Sequence, residues 1–329
     1  MKNRDKEFKM QLLRRFLGFT LLLFTLLPLQ ASAAYSNIYT FGDSLSDTGN
    51  VFTQPSANPF NNGVPWVDYL AKSMGTPWAG TVPGVNNFAH VGARAGSPFT
   101  YNHPISGPTA IPSVVTQTSI FSSVSTASIQ DNASSLFILW GGGNDMLDAG
   151  TAYAATGSLG TAKIVVDLAV SHMMTAIGNL MSEGASEFLV PNMPNLGRVP
   201  LGAATDPATA TQLSQYFNVQ LAGGLDQLVA TAPLPIEIHQ LDVFTLLEDV
   251  MATPSGYGLT NATDPCVVNL VACTNPDEYL FWDDFHPTTR GHEIIAAAAI
   301  DALNPVPLPA AVWLFAGGLA LLGVVRRRA

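Results

Sequence analysis

Two segments of this 329-residue chain carry side chains suited to nucleophilic acyl chemistry. In Phe41-Gly42-Asp43-Ser44-Leu45-Ser46-Asp47-Thr48-Gly49-Asn50 a serine follows a short apolar run, and the glycine before it permits the sharp turn that exposes a hydroxyl. That hydroxyl is a weak nucleophile until a base takes its proton. A base stands about 240 residues later, in Phe281-Trp282-Asp283-Asp284-Phe285-His286-Pro287-Thr288. Asp283 precedes His286 by three residues, close enough for one turn to bring its carboxylate onto the imidazole, where it fixes the tautomer and steadies the imidazolium. Asp284 is adjacent and is the alternative orienting acid. Asp43 reads as a turn-fixing acceptor and Asp145 as a helix cap, both structural. His292 reads as a packing or capping residue, while His90, His103, His172 and His239 have no partner pattern in the sequence. No metal cluster is visible, and the chemistry needs no cofactor.

The two segments together resemble the SGNH or GDSL hydrolase family, in its branch of plant-type esterases and bacterial lecithinase or haemolysin-like lipases. The likeness runs along nearly the whole middle of the chain. Asn62-Gly63-Val64-Pro65-Trp66-Val67-Asp68-Tyr69-Leu70 is similar to that branch's first helix, Asn87-Phe88-Ala89-His90-Val91-Gly92-Ala93 to its glycine block and Gly142-Gly143-Asn144-Asp145 to its asparagine block. Pro191-Asn192-Met193-Pro194-Asn195-Leu196-Gly197 and Tyr216-Phe217-Asn218 match further signatures. The resemblance implies a triad of Ser44, Asp283 and His286, with family spacing favouring Asp283 over Asp284. It also implies an oxyanion hole of the Ser44 and Gly92 backbone amides with the Asn144 side-chain amide. Cleavage of lipid, phospholipid or short acyl esters is the implied activity. The alternatives are a deacetylase or acyltransferase acting on extracellular polysaccharide and a noncatalytic surface or matrix binding protein.

The hydrophobic share of 47% is raised by apolar runs at both ends, so the middle reads as ordinary globular sequence of a size that fits one domain, residues 34–305. Met1 to Arg15 is basic, Phe16 to Leu29 is apolar and Ala31-Ser32-Ala33 offers a signal-peptidase site, so residues 1–33 read as a secretory signal. At the other end Val306-Pro307-Leu308-Pro309-Ala310 opens an apolar run to Val325 that is followed by Arg326, Arg327 and Arg328. Residues 306–329 resemble the VPLPA-type PEP-CTERM sorting signals of Gram-negative bacteria, which implies a transmembrane segment and removal by an exosortase-type enzyme. A plain membrane anchor is the alternative. The protein is then expected to cross the inner membrane and reach the cell surface or exterior, or to stay anchored. Between the two ends Lys72, Arg94, Lys163, Arg198 and Arg290 face twenty-two acidic residues. So acidic a domain is unsuited to nucleic acid, which selects basic surfaces. Cys266 and Cys273, close together in an exported chain, read as a disulfide rather than as free thiols.

Positioning a serine and a histidine so far apart in sequence falls to a sheet. Ile38 to Phe41, Leu136 to Trp140, Phe188 to Val190 and Ile236 to Leu241 read as buried strands. Helical patterns cover Trp66 to Ser73, Ala162 to Ser182, Gln212 to Ala230 and Gly291 to Leu303. Strand–helix alternation predicts a mainly parallel sheet covered on both faces, with active residues at the strands' carboxyl ends. The absence of a Gly-x-Ser-x-Gly elbow favours the three-layer α/β/α flavodoxin-like fold of the SGNH hydrolases over the α/β-hydrolase fold. Thr53 to Asn62 and Ala95 to Ser128, rich in Pro, Gly, Ser, Thr and Asn, read as long surface loops.

Overall fold

The computed structural model describes residues 35–50, 60–76, 86–103, 107–125 and 129–303. The expected signal of residues 1–33, the tail of residues 306–329 and most of the stretch from Thr53 to Asn62 lie outside the described residues. In chain order the elements are β1 (Ile38–Gly42), α1 (Trp66–Met74), β2 (Phe99–His103), β3 (Gly107–Ile111), α2 (Val114–Val124), α3 (Ile129–Ala133) and β4 (Leu136–Trp140). There follow α4 (Gly143–Thr156), α5 (Leu159–Ser182), β5 (Glu187–Pro191), α6 (Pro200–Ala204), α7 (Pro207–Thr231), β6 (Glu237–Leu241) and α8 (Val243–Ala252). The last are β7 (Asn261–Pro265), β8 (Val267–Val268), β9 (Val271–Ala272), β10 (Tyr279–Phe281) and α9 (Thr289–Leu303).

The central sheet is parallel throughout, in the order β1-β4-β5-β6. Beyond β1, the stretch from Asn86 to His90 runs parallel as an irregular fifth line: Phe88 N donates to Thr40 O at 2.7 Å and His90 N to Gly42 O at 3.1 Å. Side chains alternate across the strands. Tyr39, Phe41, Phe137, Leu139, Phe188 and Val190 point to one face, where α2, α4, α5 and α7 cover them with residues such as Phe121, Met146, Ile177 and Phe217. Ile38, Leu136, Ile138, Trp140, Leu189 and Leu241 point to the other, against Trp66, Val67 and Leu70 of α1 and Ile295, Ala296 and Ala299 of α9. Because both faces are covered, β4 is apolar at all five positions, Leu-Phe-Ile-Leu-Trp, and buried at each. This is the expected three-layer α/β/α architecture. A smaller apolar cluster of Val199, Leu247, Val250, Leu280, Phe281 and Ile294 packs α8 and α9 around β10.

Two expectations are corrected. Ala95 to Ser128 is not a long loop, since it contains the β2–β3 hairpin and α2. Ser113 caps α2 by accepting from Thr116 N, and Val114, Gln117, Thr118 and Phe121 are buried. A helix whose inward face includes Gln117 and Thr118 lacks the apolar periodicity by which helices are read. Ile236 to Leu241 is not a buried strand either: β6 is the sheet edge in this order, and Glu237 and Gln240 are exposed on it. An edge strand has solvent on one side and tolerates polar residues.

Candidate active site

Ser44 is the second residue past β1, whose last residue is Gly42. Gly42 has φ +154°, and a Cβ there would collide with the carbonyl oxygen of Trp140 on β4, so only glycine lets the chain turn this tightly beside its neighbour. Gln117 holds the same point from α2. Its side-chain oxygen accepts from Gly42 N at 2.9 Å, and its amide nitrogen donates to Gly42 O at 2.8 Å. Asp43 then fixes the turn as expected: its Oδ1 accepts from Leu45 N at 3.1 Å, and its carbonyl accepts from Ser46 N and Asp47 N. Asp47 in turn accepts from Gly49 N, Asn50 N and Val91 N at 2.7 to 2.9 Å, joining the serine turn to the strip that carries Gly92.

Ser44 Oγ is 2.8 Å from His286 Nε2, while His286 Nδ1 is 2.9 and 2.8 Å from the two oxygens of Asp283. Asp283, not Asp284, therefore meets the imidazole. Asp283 Oδ1 also accepts from the backbone N–H groups of Phe285 and His286 at 2.8 and 2.7 Å, so the loop that carries the acid is folded around it. Burial alone would raise this carboxyl, but the hydrogen bond and charge of His286 and the two amides outweigh it and hold the group below its ordinary value. Trp282 N donates to His286 O at 2.7 Å and closes the loop, and the Phe60 ring lies 5.0 Å from the imidazole, centroid to centroid.

Gly92 and Asn144 line the same cavity as Ser44 and His286. Gly92 has φ +79°, a left-handed backbone that favours glycine. Asn144 lies in the first turn of α4, where it donates one amide hydrogen to Ala93 O at 3.0 Å. Two neighbours on α4 grip the same strip: Asp145 accepts from Ala95 N at 2.9 Å and Asp148 binds Arg94 through two hydrogen bonds of 2.5 and 2.9 Å. Asp145 is thus a tether rather than the expected helix cap, since the N-cap is Gly142 and no side chain caps it. The Arg94–Asp148 pair and Gln117 had no signal in the sequence, because each works through a contact more than 50 residues away.

The cavity beside Ser44 has a volume of about 380 Å³. Apart from the residues just described its walls are apolar: Leu147, Met193, Leu196, Val243, Leu246, Leu247, Val250, Leu280, Phe281 and Ile294 reach from the triad into the cluster under α8. Met193 and Leu196 belong to the block after β5, which Asn218 of α7 clasps by accepting from Met193 N and donating to Met193 O, each at 2.8 Å. Two other expectations concern cysteine and histidine. Cys266 and Cys273 form the disulfide, with their Cα atoms 4.9 Å apart. His239 does have partners, because β5 and β6 place it 3.2 Å from Glu187 and 3.6 Å from Glu237. The hydrogen bond that His239 donates to Glu187 holds this imidazole above its ordinary value against the effect of burial.

Two buried groups behind the site titrate in opposition. Burial pushes His292 down to about 3, with the charge of His286 acting in the same direction, and its Nδ1 has no hydrogen-bond partner. The unfolded chain therefore binds a proton below pH 6.5 that the fold rejects down to about 3, and stability falls as the pH drops through that window. Burial lifts Asp43 to about 6 from 3.8, so the fold keeps its proton in that interval and this group favours the fold as the pH drops. Because the two oppose each other, a variant separates them. His292→Gln is expected to gain about 2 to 3 kcal/mol relative to the wild type between pH 7.5 and 4.5, read by urea unfolding at both. Parallel pH profiles would show that His292 does not carry the acid sensitivity.

Residues 38–299 match the family described as GDSL-like Lipase/Acylhydrolase. Lipase 1 of Photorhabdus luminescens is 25% identical over 82% of this chain and 50% of its own length. The thermolabile hemolysin of Vibrio parahaemolyticus is 26% identical over 82% of this chain and 64% of its own. A GDSL esterase/lipase of Arabidopsis thaliana is 25% identical over 83% of each chain. The chain thus spans between half and two thirds of the two bacterial relatives. With a family match across the whole described sheet and both halves of the triad, the chain belongs to the GDSL-like lipase/acylhydrolase family.

Proposed function

We propose that this protein is a serine hydrolase of carboxylic esters that works through an acyl-enzyme on Ser44. The observation that carries this reading is the continuous hydrogen-bond chain Ser44–His286–Asp283 at the wall of an apolar cavity. His286 takes the Ser44 proton as the hydroxyl attacks the ester carbonyl, and Asp283 stabilises the imidazolium that results. The amides of Ser44, Gly92 and Asn144 receive the oxyanion. His286 returns the proton to the departing alcohol, and a water activated by the same imidazole then releases the acid and restores the serine hydroxyl.

The cavity favours a medium or long acyl chain over acetyl. Each methylene it buries contributes ~0.8 kcal/mol, about a fourfold gain in kcat/KM per methylene until the space is full. Across a p-nitrophenyl ester series kcat/KM is expected to climb from acetate past butanoate. Leu247→Phe, which fills part of the cavity, is expected to move the optimum to a shorter chain and to leave the acetate ester nearly unaffected. A profile that peaks at acetate would favour polysaccharide deacetylation instead. Labelling by a fluorophosphonate tests the nucleophile, and an adduct anywhere but on the Ser44 peptide would overturn the mechanism.

The proposal extends to place. The basic-then-apolar start with its Ala31-Ser32-Ala33 site and the Cys266–Cys273 disulfide both fit an oxidising compartment outside the cytoplasm. The VPLPA-type tail fits sorting by an exosortase-type enzyme. Terminal sequencing of the protein recovered from cells tests both, the expected ends being near Ala34 and ahead of Ala310.

A further inference from the structure

A short apolar hairpin is joined to the loop that carries the triad's acid and base. Strands β8 and β9 pair antiparallel around Asn269 and Leu270, and the Cys266–Cys273 disulfide closes their base. Cys266 N donates to Phe281 O at 2.9 Å and Val267 N to Trp282 O at 2.8 Å. The hairpin is thus tied to residues next to Asp283. Its tip is apolar and in water: Leu270 is 97% exposed, Val271 70% and Val268 55%. Leu270 has φ +66°, in the left-handed region that glycine adopts freely and a leucine does not. Here a large apolar side chain stands at a backbone position where glycine would relieve strain and remove exposed apolar surface.

We propose that this hairpin anchors the protein to a zwitterionic lipid surface, with Val268, Leu270 and Val271 entering the interface. Three observations select that occupant. Pro265 to Asn275 contains no charged residue, so no charge has to be desolvated for Val268, Leu270 and Val271 to enter an interface, where the amide of Asn269 can stay among the headgroups. The rest of the domain is strongly acidic, which disfavours an anionic surface. Phe281, to whose carbonyl the hairpin is bonded, lines the apolar cavity beside Ser44, so the base of the hairpin is joined directly to a wall of the cavity proposed to take an acyl chain. The consequence for catalysis rests on the ester-hydrolase reading, whereas the docking itself does not.

The test uses the full chain, so that both termini are common to every sample, with Leu270→Asp and Leu270→Gly. The glycine variant relieves the left-handed backbone and is expected to fold at least as stably as the wild type, which separates anchoring from a structural role. Phosphatidylcholine vesicles are expected to slow amide hydrogen exchange across residues 266–273 in the wild type and to have little effect in either variant. On tributyrin, the wild-type rate is expected to jump when the ester passes its solubility limit. Both variants keep the rate on dissolved ester and lose about tenfold on droplets. Exchange that vesicles leave unchanged, or variants with the wild-type jump, would overturn the proposal. So would protection that appears with protein concentration alone, which would identify a second copy of the chain as the occupant. A wild type inert towards dissolved tributyrin would count against the esterase reading, and the exchange experiment would still decide the anchor.

Discussion

Ser44→Ala is expected to lower kcat for p-nitrophenyl butanoate by about a millionfold, with the fold and KM little changed. The size of the loss follows from the hydrogen-bond chain, because the nucleophile and its base act as a unit: among the described residues the hydrogen-bond partner of His286 Nε2 is Ser44 Oγ, 2.8 Å away. For the same reason Ser44→Ala combined with His286→Ala is expected to be no slower than either single variant, and steady-state rates of the three side by side test this. Additive losses would mean that the two residues do not act in one step. Asp283→Asn is expected to cost about 10⁴-fold in kcat, since an amide cannot hold the imidazole in the tautomer that leaves Nε2 free to accept. Asp284 is exposed and does not meet His286, so Asp284→Asn is expected to leave kcat near wild type.

How much of this could be read from the chain depended on whether each residue works locally. Asp283 and His286 lie in one turn, and Ser44 follows a strand and a glycine, so their arrangement is written in short spacings. The strands β1, β4 and β5 were legible because burial on both faces leaves them nearly continuous apolar runs. Gln117 was not, since a glutamine in a polar stretch has no reason to be buried until its two hydrogen bonds to Gly42 are in place. His239 is similar: it acquires Glu187 only because β5 and β6 pair in the register that sets Leu189 opposite His239 and Glu187 opposite Glu237. Asp145 departs from its expected role for a different reason. An acidic residue in a first turn usually serves the helix N-terminus, but here the turn packs against the strip from Ala93 to Ala95 and the carboxylate takes the amide of Ala95 instead.

Asn144→Ala is expected to reduce kcat by about 10²- to 10³-fold while KM stays near wild type, as follows from losing one of three donors to an oxyanion that exists only along the reaction path. One of its two amide hydrogens is already given to Ala93 O at 3.0 Å, and that bond is what orients the group. The second hydrogen is the one available to the substrate oxygen, because a primary amide has two donors. Asn144→Asp makes the sharper test. It keeps the shape but offers no donor and places a negative charge where negative charge develops, so it is expected to be slower than Asn144→Ala. A purely structural Asn144 would instead show both rate losses accompanied by lower unfolding midpoints, since neither alanine nor aspartate can donate to Ala93 O. Rates and urea midpoints for the two variants therefore decide between an oxyanion donor and a tether.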